Sequence, residues 1–130
     1  MKKYILLAED DRFLRRACET KLKQQGFEVV VAVDGEEALA LARERTPDLL
    51  LLDLLMPKRD GLAVLEALKA DEKTRNIPVV ILSNSSKDFE MRKASTLGAV
   101  EYWIKSNFSL QELCERVEKL LDEKTEGKTG

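Results

Sequence analysis

LLLLDLLMPKRDG, residues 49–61, carries four leucines into Asp53 and leaves through Pro57, a basic pair and Asp60-Gly61. An unbroken apolar run this short suits a strand buried on both faces. Leucine is not β-branched, however, and periodicity alone leaves a buried helix segment open. The length of the run and its brackets, Pro47 and Pro57, decide for a strand. Strands that are apolar throughout belong to parallel sheets covered by helices on both faces. In such open sheets ligands bind outside the carboxyl ends of the strands, which is where a carboxylate closing the run would lie.

Four further β-rich runs flank this one: YILLA at 4–8, VVVA at 29–32, VVIL at 79–82 and YWI at 102–104. Segments of helical periodicity separate them, giving five strand-helix repeats. The first helix places Phe13, Leu14, Ala17, Cys18 and Leu22 on one face and stops at Gly26. The second opens at Asp34, with Glu37 placed to reach back, and ends before Pro47. The third holds Leu62, Leu65 and Leu68, and the fourth runs from about Lys87 to Leu97 before Gly98. Ser109 and Glu112 form a capping box for the fifth, with Phe108 and Leu113 as its staple and an apolar stripe through Val117, Leu120 and Leu121. The pattern predicts one doubly wound α/β domain over residues 1–122 with a five-stranded parallel sheet. Residues 123–130, EKTEGKTG, contain no apolar side chain and are expected to be a disordered tail.

Composition narrows the function. The 130 residues are 44% hydrophobic and 35% charged, as in a soluble globular domain, and no apolar run approaches the ~20 residues that span a bilayer. A cytoplasmic protein with no membrane contact is expected. The 22 basic and 24 acidic residues are mixed along the chain, so no cationic footprint for direct nucleic-acid binding is expected. With no histidine and only Cys18 and Cys114, zinc lacks its usual ligands, and both cysteines fall on apolar helix faces as buried thiols.

The predicted strands end in Glu9-Asp10-Asp11, Asp53, Ser83-Asn84-Ser85 and Lys105. Singly, each has a plain role. Asp53 suits a turn, Glu9 to Asp11 suit a helix start, Ser85 or Ser86 suits an N-cap, and Lys105 suits solvent. In a parallel sheet all four groups share one rim. Crowded carboxylates need a cation or a raised pKa, and an all-oxygen donor set suits a hard ion such as Mg²⁺ shared with a phosphate. A carboxylate is already ionised at neutral pH, so it attacks phosphorus without a general base. An ammonium and a hydroxyl then stabilise charge on the transferring group.

Through ILLAEDD, LLLLDLLMPKRDG, PVVILS and the position of Lys105, residues 2 to about 122 resemble the receiver domain of two-component response regulators, the CheY-like group with a flavodoxin-like fold. The resemblance implies that Asp53 is the phosphoacceptor, taking phosphate from a sensor histidine kinase, a phosphotransfer protein or a small phosphodonor. Asp10 and Asp53 would bind Mg²⁺ with the Leu55 carbonyl, and Glu9 would hold a metal-bound water. Lys105 and Ser83 would contact the phosphate, with Tyr102 as the switch aromatic, although plain packing at a strand edge suits Tyr102 equally. Pro57 and Gly61 would shape the loop after the phosphorylated strand, while Leu55 and Ser85 would tune dephosphorylation. Output would pass to a downstream protein through the face of the fourth helix, fifth strand and fifth helix. Such a protein acts on its own aspartate and is not an enzyme with turnover on an external substrate.

Two positions depart from the family pattern. Ser106 stands where proline usually follows the lysine, and Asn84 replaces a small residue after the switch hydroxyl. A cis bond before a residue other than proline costs ~3 kcal/mol, so a trans bond and a reshaped loop are expected. The departure at Ser106 keeps a second reading open, a degenerate receiver that binds partners without phosphorylation.

Overall fold

The computed structural model describes the backbone of residues 2–129 and the side chains of residues 2–122. The elements alternate as the sequence pattern predicts: β1 (Tyr4–Ala8), α1 (Arg12–Gln24), β2 (Glu28–Ala32), α2 (Gly35–Glu44), β3 (Leu49–Asp53), α3 (Gly61–Ala70), β4 (Val79–Ser83), α4 (Asp88–Thr96), β5 (Glu101–Ile104) and α5 (Leu110–Thr129). The α5 backbone thus continues past Asp122, into the segment expected to be a disordered tail. The side chains from 123 onward, and Gly130 altogether, lie outside the described residues.

All strands are parallel, in the order β2-β1-β3-β4-β5. Alternation along the central strands divides the core into two layers. Ile5, Leu7, Leu49, Leu51, Val80 and Leu82 face α1 and α5, where they meet Cys18, Leu22, Cys114 and Val117. Leu6, Ala8, Leu50, Leu52 and Ile81 face α2 and α3, where they meet Leu39, Val64, Leu65 and Leu68. Every residue of β3 is buried, Asp53 included. Truncating a leucine in such a strand to alanine costs about 2–5 kcal/mol, so the run at 49–52 tolerates little change.

Register brings the strand ends level. Ala8 pairs with Leu52, Asp53 with Leu82, and Ser83 with Ile104. Glu9, Asp53, Ser83 and Lys105 therefore emerge from four adjacent strands at one edge of the sheet.

Caps form largely as the sequence indicates. Asp34 accepts from the Glu37 amide at 2.8 Å, while the Glu37 carboxylate reaches one residue beyond the cap, to the Val33 amide at 3.0 Å. Ser109 and Glu112 close a reciprocal box at 3.1 and 2.9 Å. One placement is corrected: Phe13 does not join the buried stripe of α1 but is 86% exposed. At about 100° per residue, nine positions separate it from Leu22 by about half a turn of the wheel, so it faces away from the side that packs on the sheet. Cys18 and Cys114 are buried free thiols, and burial pushes the Cys18 thiol up to about 12.

The loop from Asp53 to α3 is seated by two close backbone approaches. A Cβ added at Gly35 would lie 1.9 Å from the Arg59 carbonyl oxygen, and one at Gly61 would lie 2.4 Å from the Asp53 carbonyl oxygen. Backbone, not a flexible side chain, stands in the way. Replacement of either glycine by alanine should therefore destabilise the fold by about 1–3 kcal/mol, as overpacking does. Urea denaturation of Gly35→Ala and Gly61→Ala would measure this, and unchanged midpoints would show that the loop relaxes freely.

Candidate functional site

The carboxyl edge of the sheet carries one half-buried cation between two buried carboxylates. Lys105 Nζ lies 2.8 Å from Glu9 Oε1 and 3.3 Å from Asp53 Oδ1. Its hydrogen bond goes to Glu9 Oε2 at 3.0 Å, which also accepts from the Asp11 amide at 2.9 Å. Glu9 Oε1 is close to the ammonium but has no donor in hydrogen-bonding geometry. A fully buried carboxylate oxygen is thus left short of a partner. Asp53, 5% exposed, accepts from the Leu55 amide at 3.3 Å and the Asp10 amide at 3.4 Å.

Electrostatics follow from this crowding. Burial, then the neighbouring Asp53 carboxyl, raises Glu9 from its ordinary 4.5 to about 7 against the lowering effect of Lys105. Burial alone would lower Lys105, but Glu9 and then Asp53 outweigh it and hold the ammonium above its ordinary value. The cluster counts two carboxylates to one ammonium, and the exposed Asp10 adds a third acid at the mouth.

Among the described residues no three Asp, Glu, Cys or His side chains form a metal cage by themselves. A hard divalent ion such as Mg²⁺ needs no such cage, since one or two carboxylates, a carbonyl and waters suffice. Asp10, Asp53 and the Leu55 carbonyl, beside the unpartnered oxygen of Glu9, fit that description.

The other candidates lie around this centre. The Ser83 hydroxyl, 2% exposed, accepts from the Ser85 amide at 2.9 Å. Tyr102 donates its hydroxyl to the Ser85 carbonyl at 2.9 Å and packs against the layer of α2 and α3. Leu55 turns its side chain outward, 70% exposed. The Pro57 carbonyl accepts from the Gly35 amide at 3.3 Å, and the Gly61 amide donates to the Leu54 carbonyl at 2.8 Å, which closes the loop under Asp53. Lys105 is followed by a trans bond and a single 3-10 turn, Lys105–Asn107.

Two residues escaped sequence reasoning. Arg15 donates to the Glu9 carbonyl at 3.0 Å and the Asp10 carbonyl at 3.4 Å, bracing the acidic turn from the second turn of α1. Its only sequence signal is a basic residue one helical turn beyond an acidic cluster. Gly35, the first residue of α2, also seats the β3–α3 loop, because a Cβ there would meet the Arg59 carbonyl.

A five-stranded parallel sheet of this order, covered by helices on both faces, is a doubly wound α/β sandwich whose carboxyl edge here gathers acids around an opposed lysine. Comparison with known proteins agrees. The response regulator receiver domain family matches residues 5–118. A probable transcriptional regulator ycf27 of Cyanophora paradoxa is 40% identical over 120 residues, covering 92% of this chain and 48% of that protein. The Francisella response regulator 1452 receiver domain superposes with a TM-score of 0.84 at 32% identity, covering 95% of this chain and 99% of that one. The Mn²⁺-bound response regulator Rcp1 gives 0.77 at 31% identity, with 91% of each chain covered. The chain belongs to the response regulator receiver domain family of two-component systems. It spans about half the length of the curated relatives it matches.

The raised carboxyl of Glu9 has a stability signature. The folded protein holds a proton that the unfolded chain releases near 4.5, so this contribution is complete below 4.5 and is lost as pH rises through about 7. In metal-free buffer the urea midpoint of the wild type should decline across that window, and Glu9→Gln should flatten the decline. An unchanged slope in the variant would assign the titration to another group.

Proposed function

We propose that this domain is a phosphorylation-dependent switch in which Asp53 accepts the phosphoryl group. The observation that carries the proposal is the buried Asp53 carboxylate with the Lys105 ammonium 3.3 Å from its Oδ1. An Asp53 oxygen attacks phosphorus. The bond from phosphorus to the donor's leaving atom breaks, and its electron pair departs with that atom, leaving an acyl phosphate on Asp53. Lys105 neutralises charge on the transferring oxygens, and the Ser83 hydroxyl donates to one of them. The backbone amides of Asp10 and Leu55 fix the nucleophile from two sides. Asp10, Asp53 and the Leu55 carbonyl would hold Mg²⁺, with Glu9 acting through a water, and the ion would supply the positive charge that the site lacks.

A sensor histidine kinase or a phosphotransfer protein is the donor in this reading, and a protein that meets the face of α4, β5 and α5 is the receiver of the signal. The domain acts in the cytoplasm on its own aspartate, without turnover on an external substrate. Residues 1–130 themselves make no nucleic-acid contact in this reading, which the even mixing of 22 basic and 24 acidic residues supports.

Incubation with acetyl phosphate and Mg²⁺ should add one phosphate to the wild type and none to Asp53→Asn, as read by intact mass. Equal labelling of the variant would displace the site from Asp53, and an unlabelled wild type would leave a constitutive binding module. Lys105→Ala should slow labelling by about 10²-fold, the usual loss when one charge-stabilising donor is removed. The Leu55 side chain has no polar atom to orient an attacking water, and it faces solvent. The phosphoryl group should accordingly persist for minutes or longer, and decay within seconds would contradict this role for Leu55.

A further inference from the structure

Ser85, in the loop between β4 and α4, is tied in three directions. Its amide donates to the Ser83 hydroxyl at 2.9 Å, and its carbonyl accepts from the Tyr102 hydroxyl at 2.9 Å. Its own hydroxyl donates to the Oε1 of Glu90, in the first turn of α4. The first two bonds join residues already placed at the phosphoryl site. The third leads to a half-buried acid that has had no part in the chemistry.

The caps of the helices show why that acid matters. The starts of α1, α2 and α3 are held by Asp11, Asp34 and Asp60, which accept from amides of the first turn. At α4 the capping residue is Lys87, and it makes no side-chain cap bond. The bond from Ser85 to Glu90 is therefore the polar tie between this loop and its helix, supplemented by the Lys87 amide donating back to Ser85 Oγ at 3.3 Å. A hydroxyl has one proton and two acceptor lone pairs. While Ser83 Oγ accepts from the Ser85 amide, its proton remains available in another direction, and the position of Ser85 restricts what that direction is.

We propose that Glu90 is a positioning residue for phosphoryl acceptance: its carboxylate anchors the Ser85 hydroxyl, and the Ser85 amide thereby aims the Ser83 hydroxyl at the group arriving on Asp53. This rests on Asp53 being the acceptor. The same bond makes α4 mechanically continuous with the site.

An acid in the first turn of a helix also favours the helix by its charge alone, as Asp88 does here. The amide of glutamine keeps an acceptor for the Ser85 hydroxyl and loses the charge, so Glu90→Gln separates the two roles. Initial rates of labelling by acetyl phosphate with Mg²⁺ should fall about tenfold in Glu90→Ala, the order expected from one charge-assisted hydrogen bond. Glu90→Gln should recover most of the rate. Ser85→Ala should match Glu90→Ala, and the double variant should lose little more, as two residues acting as one unit do. In the unphosphorylated proteins, amide hydrogen exchange at residues 83–86 should quicken in Glu90→Ala and not in Glu90→Gln. A wild-type rate in Glu90→Ala, an equally slow Glu90→Gln, or losses that multiply in the double variant would each overturn the role of Glu90 while leaving Asp53 intact. A wild type that takes no phosphate overturns the reading of Asp53 and the role of Glu90 together.

Discussion

The contact of Lys105 with Glu9 and Asp53 is the constraint around which this domain is arranged. Removing one partner of a buried ion pair costs about 3–5 kcal/mol, more than most single core truncations of a methyl group, because the remaining charge is stranded. Here one ammonium faces two carboxylates, so even the intact cluster is short of positive charge. The strain on the cluster shows in Glu9, whose carboxyl burial and then Asp53 raise against the pull of Lys105, and whose Oε1 lacks a hydrogen bond although the ammonium lies 2.8 Å away. A domain that only needed a stable core would gain by replacing these three residues with apolar ones of similar volume. Their presence at the edge of a leucine-built sheet is a cost set against stability, and a bound cation is what the imbalance fits.

The sheet supplies the precision that the charges require. Asp53 is the last residue of a strand whose other four members are fully buried, so its backbone has little freedom. Glu9 and Lys105 are separated from it in sequence by 44 and 52 positions, yet the parallel register places each just past a paired strand end. The two glycines that seat the next loop complete the arrangement, because any side chain at Gly61 would press on the Asp53 carbonyl itself. Local geometry at the site is therefore inherited from packing some distance below it.

Much of this was legible in the residues. Apolar runs of strand length alternating with amphipathic segments specify a doubly wound sheet by periodicity and connection rules, and the acids at the strand ends then share a rim without further assumption. Phe13 was misplaced because an aromatic residue near a helix start was taken into the stripe, although its angular distance from Leu22 argued otherwise. Contacts made by polar side chains across loops were not legible. Nothing in the spacing of Arg15 from Glu9 and Asp10, or of Ser85 from Glu90 and Tyr102, states that these atoms meet, since each contact depends on how two loops settle against the finished sheet. Gly35 belongs to the same class, as its constraint is the Arg59 carbonyl from another segment.

Ser106 gives the segment after Lys105 a local route without proline. With no proline after Lys105, the chain passes through a trans bond into one turn of 3-10 helix, and the Phe108 amide returns to the Lys105 carbonyl at 3.2 Å. On either side of that turn stand aromatic anchors. Trp103, 3% exposed in β5, meets the Phe108 ring at a centroid distance of 5.9 Å, and Phe108 also packs against the layer of α1 and α5. Tilted aromatic contacts of this kind add about 0.5–1.5 kcal/mol beyond the area they bury. Ser109 then starts α5 with a reciprocal cap, so the segment is fixed at both ends within six residues of Trp103. The lysine is thus aimed by a buried tryptophan before it and a capped helix after it, and a rigid ring inside the loop is not required for its ammonium to reach both carboxylates.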